Sequence, residues 1–368
     1  MNPSPSDSWE TLFAGAPPGS PSATVDLRVV RRAGRPFLLL PDDAKCAAQA
    51  LALYPAQTTK ARAAKKILSL ALRTGFESRL EKIPVSVPLG DEFALFLADA
   101  AGPPAVELPL FAILPGNPNA EGRRFVILVF DSNDEPVAVV KAGMTPAARR
   151  LIAHEMNFLA SVPPRTEGLP ILRGKFLSPR LDAFALDFIP GNSPGLDDLA
   201  TLAKLLSSWV AVGQLVTMNE LPGWQRLIQA ASDAPLPGTV QALSALRFHA
   251  VMTHGDCAPW NAKNFRGRWT FLDWERGELV GVPTWDWLHF VVQSAVLVRR
   301  ETASAILSRI EKLFALAAFQ DYASRAGVMG RERALATAYL SYCTRVLRQS
   351  EGLKTVTELE SAAVQRWK

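Results

Sequence analysis

Between residues 107 and 190 short apolar runs alternate with turn residues, and one helical pattern interrupts them. That order constrains the fold more than any other feature of the chain. "ELPLFAILPG" is a strand candidate and "NPNAEG" a turn. "RRFVILVFD" is a second strand, "SNDE" a hairpin turn and "PVAVVKAG" a third strand. In "TPAARRLIAHEMNFLASV" a Thr cap, a Pro at the first helical position and apolar residues at helical spacing predict a helix. "FLSPRLDAFALDFIPG" predicts two more strands, around residues 176 and 186. Beyond Leu196 the pattern is mostly helical. A five-stranded antiparallel sheet with one helix, followed by a helical half, implies an α+β protein of two lobes.

Upstream, residues 26–106 read as an α/β extension of unassigned role. It has two short strands around "RAGRP", a helix over residues 42–74 broken near Tyr54-Pro55, and a short helix over residues 92–100. Residues 1–25, rich in Pro, Ser and Gly, read as a flexible tail. They lack a basic stretch followed by an apolar core, so they are no signal peptide. The most apolar region, residues 93–114, is broken by Asp99, Pro103, Pro104, Glu107 and Pro109, too short to span a bilayer. The formal charge of +5 suits an anionic ligand such as a nucleotide without demanding nucleic acid. "KARAAKK" near residue 60 reads as a solvated helix face. The three cysteines, Cys46, Cys257 and Cys343, fit no zinc spacing and read as reduced thiols of a cytoplasmic protein. Oligomeric state is not legible.

The chemistry concentrates in "VMTHGDCAPWNAKNFRGRWTFLDWERG", residues 251–277. Magnesium takes hard oxygen ligands, and Asn261 and Asp273 supply suitable ones. Asp256, five residues before Asn261, can accept a proton from a hydroxyl. "RWTFLDWE" reads as a strand delivering Asp273 to the end of a β-ribbon, opposite the loop of Asp256 and Asn261. A base, two metal ligands and this loop–strand arrangement are the parts of a phosphoryl-transfer site.

The combination resembles the aminoglycoside phosphotransferases and choline-kinase-like small-molecule kinases. The pattern H-G-D-x-x-x-x-N, then an apolar strand ending in I/L-D-W/F-E, is met at His254, Gly255, Asp256, Asn261, Asp273, Trp274 and Glu275. The resemblance implies Asp256 as catalytic base, Asn261 and Asp273 as Mg2+ ligands, and Asp286 of "VPTWDWLHF" as a structural support of the catalytic loop. "VAVVKAG" puts Lys141 at the end of the third strand, and "AHEMNFL" puts Glu155 in the next helix. These are the places of the kinase lysine and its orienting glutamate. "ALDFIPG" resembles the hinge, which implies that adenine bonds to the backbone of Asp187 and Ile189. The phosphate-covering loop departs from the pattern. "LPGNPNAEGRRF" has only Gly116 and Gly122 and is not G-x-G-x-x-G, so Gly116 alone is carried over. The resemblance covers residues 107–347. It implies a protein-kinase-like fold with an N-lobe over residues 107–190 and a helical C-lobe over residues 191–368. It implies ATP (or GTP) with Mg2+, and a small-molecule hydroxyl acceptor such as a sugar or amino alcohol.

The sequence also carries rival signals. "GNSPG" at residues 191–195 matches the esterase elbow G-x-S-x-G. The residue after its serine is Pro194, which has no N–H for an oxyanion hole. Cys257 beside His254 suggests a thiol nucleophile, but a variable position of the kinase motif explains it. A kinase-fold scaffold without turnover would normally lack the base, a metal ligand or the lysine, all kept here. No A-P-E segment follows Asp273, which disfavours a protein kinase. For Glu275, bridging and metal-proximal roles both stay open. His254 reads as loop packing, and His154, His249 and His289 as ordinary structural residues. Trp260, Trp285 and Trp287 are candidate walls for the acceptor. The later helices carry few acids (Glu301, Glu311, Asp321), which favours a neutral or zwitterionic acceptor over a polycation.

Overall fold

The computed structural model describes residues 9–14, 20–54, 59–103, 108–117, 122–232, 234–348 and 352–367. The chain divides into two compact units: residues 1–161 with 170–189, and residues 162–169 with 190–368.

The first unit is built on strands β1 (Ser22–Arg32), β2 (Arg35–Pro41), β3 (Glu81–Pro88), β4 (Phe111–Leu114), β5 (Phe125–Phe130), β6 (Pro136–Gly143), β7 (Leu172–Leu177) and β8 (Asp182–Asp187). Its helices are α1 (Ala44–Ala50), α2 (Thr59–Arg73), α3 (Glu92–Ala101) and α4 (Pro146–Ser161). The eight strands form one antiparallel sheet in the order β3-β1-β2-β4-β5-β6-β8-β7. The expected five-stranded sheet is therefore only part of it. The extension adds three strands, joined where Leu39 of β2 pairs with Ile113 of β4.

Strand β3, "EKIPVSVP", escapes a sequence reading because two prolines sit in it. It is tolerated because β3 is the edge strand, where a missing N–H breaks no ladder on the outer side. Pro84 lies opposite Asp26 and Pro88 opposite Ser22.

The sheet is covered on both faces, which is why β5 reads as a continuous apolar run. Phe125, Ile127 and Val129 point into one core, with Phe93 and Leu97 of α3. Leu128 and Phe130 point into the other, with Leu38 and Leu40 of β2, Ala47 of α1 and Leu72 of α2. Helix α4 packs on β6 and β8. Its first turn is capped by Thr145 Oγ1, which accepts from the Ala148 N–H at 3.1 Å. The turn from β6 into α4 needs Gly143, because a Cβ there would lie 2.8 Å from the backbone of Ala148.

Residues 9–13, expected within a flexible tail, belong to the core. Trp9, Leu12 and Phe13 are buried, and the Phe13 ring lies 5.9 Å from Phe93 and 5.5 Å from Phe111. Arg180 donates to the Thr11 and Leu12 carbonyls and ties the segment down. The tail signal fails because three aromatic or aliphatic side chains outweigh the Pro/Ser/Gly surroundings once a pocket exists for them.

The second unit contains α5 (Leu199–Ser208), β9 (Val210–Thr217), α6 (Pro222–Ala230), α7 (Gly238–Gln241), β10 (Arg247–Val251), β11 (Ala262–Phe265), β12 (Arg268–Phe271), α8 (Trp285–Gln293), α9 (Ala303–Phe314), α10 (Ala317–Ala326), α11 (Glu332–Tyr342) and α12 (Leu353–Arg366). It is mostly helical, with two antiparallel ribbons, β9–β10 and β11–β12. No described helix is long and apolar enough to cross a membrane.

Truncating Phe13 to Ala should cost about 3–5 kcal/mol in a denaturant titration, the range for a large aromatic removed from a core. The exposed Leu177→Ala should stay within about 0.5 kcal/mol of wild type. Equal, small effects would show that residues 9–13 do not belong to the folded core in solution.

Candidate active site

In the first unit, Lys141 lies in β6, opposite Val126 of β5 and Phe184 of β8. Those neighbours are apolar, and Lys141 is only 7% exposed. Its Nζ donates to Glu155 Oε1 of α4 at 2.6 Å, and Glu155 is fully buried. A buried ammonium demands a counter-charge at hydrogen-bond distance, and α4 presents one. The two residues expected to pair are thus brought together. Asp187 closes β8, and its N–H is committed to the Ile171 carbonyl at 3.0 Å. Its side chain accepts from Arg173. What Asp187 can offer a base edge is its carbonyl, with the half-buried Ile189 two residues on. Gly116 has φ +63°, and a Cβ there would meet the Arg124 carbonyl at 2.4 Å. Hairpin closure alone therefore requires this glycine. Residues 118–121 of the expected phosphate loop lie outside the described residues.

In the second unit, β10 leads into the loop of the expected catalytic residues. Thr253 and Glu278 exchange backbone hydrogen bonds at 2.9 Å, which starts the loop. The Asp286 carboxylate, in the first turn of α8, then accepts from the His254 N–H at 2.7 Å and the Gly255 N–H at 3.0 Å. Gly255 has φ +75°, and a Cβ would lie 2.6 Å from the Arg276 carbonyl. The His254 ring is buried against Phe271 and Trp274. Its Nε2–H donates to the Leu272 carbonyl at 2.8 Å, and its Nδ1 accepts from the Asp256 N–H at 3.1 Å. Burial keeps this imidazole neutral by pushing its pKa down. His254 is thus a packing and loop-shaping residue.

Asp256 is where these supports converge. Its Oδ2 accepts from Asn261 Nδ2 at 2.8 Å, and its backbone carbonyl accepts from the same amide at 3.0 Å. Its Oδ1 faces His289 Nε2 at 2.9 Å, and His289 Nδ1 faces the Tyr339 hydroxyl at 3.1 Å. Burial pushes the Asp256 carboxyl up. The His289 hydrogen bond, with the Arg276 guanidinium acting in the same direction, more than offsets this, so the group stays ionised well below the usual carboxylate range. Its side chain is still 24% exposed, so one flank remains open. His289 and Tyr339 are neighbours of Asp256 that sequence reasoning missed. A lone histidine on an apolar helix carries no signal, although its spacing of three from Asp286 puts both on one face of α8.

The expected metal ligands lie at the following turn and ribbon. Asn261 ends a single 3₁₀ turn, Pro259–Asn261, and its carbonyl accepts from the Leu272 N–H at 2.6 Å. That bond sets Asn261 beside the start of the Asp273 turn. Asp273 follows the β11–β12 ribbon with φ +71°, a conformation few side chains adopt and Asp tolerates. Because the Asn261 amide nitrogen is used on Asp256, its Oδ1 is turned away and left as a hard donor. Two oxygens of Asn and Asp type fit Mg2+. No group of three His, Cys, Asp or Glu side chains able to hold a metal occurs among the described residues, so any ion here would complete its shell with other oxygens.

The remaining candidates separate. Trp287 is fully buried against Phe319 and Tyr322 and forms core instead of a ligand wall. Trp285 is half-buried, with its ring centroid 4.6 Å from that of Tyr342 and the two planes tilted by 40°, and Trp260 is half-buried. Cys257 is buried, and burial pushes its thiol well up, so it is no nucleophile. "GNSPG" has its own reason: Asn192 exchanges backbone bonds with Asn264, and a Cβ on Gly191 would lie 2.2 Å from the Asn264 carbonyl. Lys263 of β11 is half-buried, and burial pushes its ammonium pKa down.

No family model matches the sequence, and no curated protein matches it. Among solved structures, the chain is similar to a thermostable mutant of aminoglycoside phosphotransferase APH(4)-Ia in a ternary complex with ADP and hygromycin B. That likeness has 11% identity and a TM-score of 0.43, over 69% of this chain and 93% of the other. It is also similar to the macrolide 2'-phosphotransferase MphH from Brachybacterium faecium, at 17% identity and a TM-score of 0.41, over 69% of this chain and 91% of the other. Likeness of this order leaves the chemistry to be assigned from the side chains themselves.

Glu155→Ala removes the carboxylate against which Lys141 is buried, and should destabilise the protein by about 3–5 kcal/mol. The double variant Lys141→Ala/Glu155→Ala should lose clearly less than the two single losses added together. Denaturant titration of all four proteins checks this, and strictly additive losses would show that the two side chains do not pair in solution.

Proposed function

We propose that this chain is a phosphotransferase that moves the γ-phosphate of ATP to a hydroxyl of a small molecule. The observation that carries this reading is Asp256: an ionised carboxylate held at both oxygens, open on one flank, with Asn261 turning a hard oxygen away from it. The Lys141–Glu155 pair supports it from the first unit, as a fixed cation for nucleotide phosphates. The backbone of Asp187 and Ile189 is assigned to the base.

The acceptor hydroxyl donates a hydrogen bond to Asp256, which aims its oxygen at the γ-phosphorus. As the new O–P bond forms and the bond to the ADP oxygen breaks, the hydroxyl proton becomes acidic and passes to Asp256. A carboxylate held this far below its usual range is a poor base for a free alcohol. It suits a transition state in which the proton moves late, and in which positioning does most of the work. Asn261 and Asp273 are the residues that would hold Mg2+, which when bound neutralises phosphate charge. Asp286 and His254 keep the loop in shape.

For the acceptor, Glu301 is paired with Arg309 and Glu311 with Arg366, so these acids are already matched. That supports a neutral or zwitterionic acceptor over a polycation. The half-buried, tilted pair of Trp285 and Tyr342 offers an aromatic surface of the kind that sugars or amino alcohols use. ADP release from magnesium-ATP with a panel of hydroxylated metabolites tests the reading directly.

With an acceptor in hand, Asp256→Asn should leave nucleotide affinity nearly intact and lower turnover by about 10²- to 10⁴-fold. Unchanged turnover would remove Asp256 from the chemistry. Asp273→Ala should lose the thermal stabilisation that magnesium-ATP confers on the wild type. Equal stabilisation of both proteins would show that Asp273 is not a ligand.

A further inference from the structure

Asp286 and His289 lie three residues apart on α8, and both reach the same loop. Asp286 takes its backbone, through the His254 and Gly255 N–H groups; His289 takes its key side chain, Asp256. We infer that His289 is a positioning residue: its Nε2–H fixes the plane of the Asp256 carboxylate, and the Tyr339 hydroxyl fixes His289. The contact stands on geometry alone; its importance for turnover rests on the phosphotransfer reading.

The roles of the atoms follow from their chemistry. An ionised carboxylate only accepts, so His289 Nε2 must carry the proton that faces Oδ1. In the neutral ring Nδ1 then accepts, and the Tyr339 O–H donates to it across 3.1 Å. His289 and Tyr339 are buried, 3% and 2% exposed, on two regular helices, whereas Asp256 sits in a loop. Rigid elements thus hold a loop carboxylate. Asn261 grips one carboxylate oxygen and His289 the other, so the group cannot turn about its Cβ–Cγ bond without breaking one of two bonds. Through Asp256 the restraint extends to the Asn261 amide, and with it to the direction of Asn261 Oδ1. Packing alone does not explain the choice of residue. The neighbouring Leu288, Val291 and Val292 fill core with apolar atoms, whereas burying an imidazole and a phenol costs free energy unless their hydrogen bonds are made.

The test compares the full-length wild type with His289→Leu, His289→Gln and Tyr339→Phe. With magnesium-ATP and a hydroxylated acceptor from the metabolite panel, His289→Leu should lower kcat by about 10- to 100-fold, the cost of a misplaced reacting group. Its KM for ATP should stay within about twofold. His289→Gln keeps an N–H donor at similar reach and should recover most of the loss, with Tyr339→Phe between the two. Wild-type kcat in His289→Leu would overturn the inference. So would a His289→Gln that melts like wild type yet is as slow as the leucine variant. A second arm needs no turnover. Nitrogen-15 NMR of the histidine rings should show His289 as the Nε2–H tautomer, with Nε2 displaced by Asp256→Asn and Nδ1 by Tyr339→Phe. Ring signals indifferent to both substitutions would overturn the positioning role whatever the enzyme does. Displaced ring signals without ADP release from any acceptor would support the contact and count against the phosphotransfer reading.

Discussion

The carboxylate of Asp286 is the interaction on which the rest of the second unit's site depends. It is buried, and burial pushes its pKa up while the N–H groups of His254 and Gly255 oppose that. Two backbone donors that would otherwise be orphaned in a dry environment are satisfied by one side chain of a rigid helix. That bond pair sets where His254 stands, and the His254 ring in turn takes the Asp256 N–H and the Leu272 carbonyl. The loop and the strand leading to Asp273 are therefore stitched together by a neutral imidazole whose tautomer is dictated by its two partners. Thr284, two residues earlier, sits at φ +70°, a rare conformation for a β-branched residue. Strain of this kind persists only where surrounding contacts over-determine the backbone, and here it lies where α8 begins.

A common logic joins the two units although they share no element. Each buries a charged group and supplies its partners from a neighbouring regular element: Lys141 from α4, Asp256 from α8. Neither arrangement is an economical way to stabilise a fold, since apolar side chains of similar volume would do as well or better. The charges are held where rotamer freedom is least, so that little reorganisation would be left for the proposed phosphotransfer.

The extension shows how a sheet grows past what its strands announce. Residues 22–41 and 81–88 extend the sheet from β4 through one pairing of β2, and the helices between them cover one face. The terminal segment of residues 9–13 and helix α3 cover the other. An extension whose role the sequence left unassigned thus contributes to the cores on both faces of one sheet.

Local chemistry was legible from the sequence alone. The α4 start is carried by Thr145 and Pro146, and the β11–β12 ribbon by the apolar pattern ending at Asp273. The candidate residues Asp256, Asn261, Asp286, Lys141 and Glu155 were set by residue type and order. The cap and the ribbon are near-neighbour relations, within one turn or one hairpin, whereas Asp286, 32 residues from His254, and the Lys141–Glu155 pair were legible only through the resemblance of their motifs. What only the tertiary structure decided involves distant partners. Strand β3 needed an edge to tolerate Pro84 and Pro88, and Phe13 needed a pocket between Phe93 and Phe111. Trp287 became core because α10 supplies Phe319 and Tyr322. His289 gained a role because packing set Asp256 on one side of its ring and Tyr339 on the other, from 33 and 50 residues away in the chain. Hydrogen bonds over such separations leave no periodicity in a sequence; burial alone makes them obligatory, and burial is a property of the assembled fold.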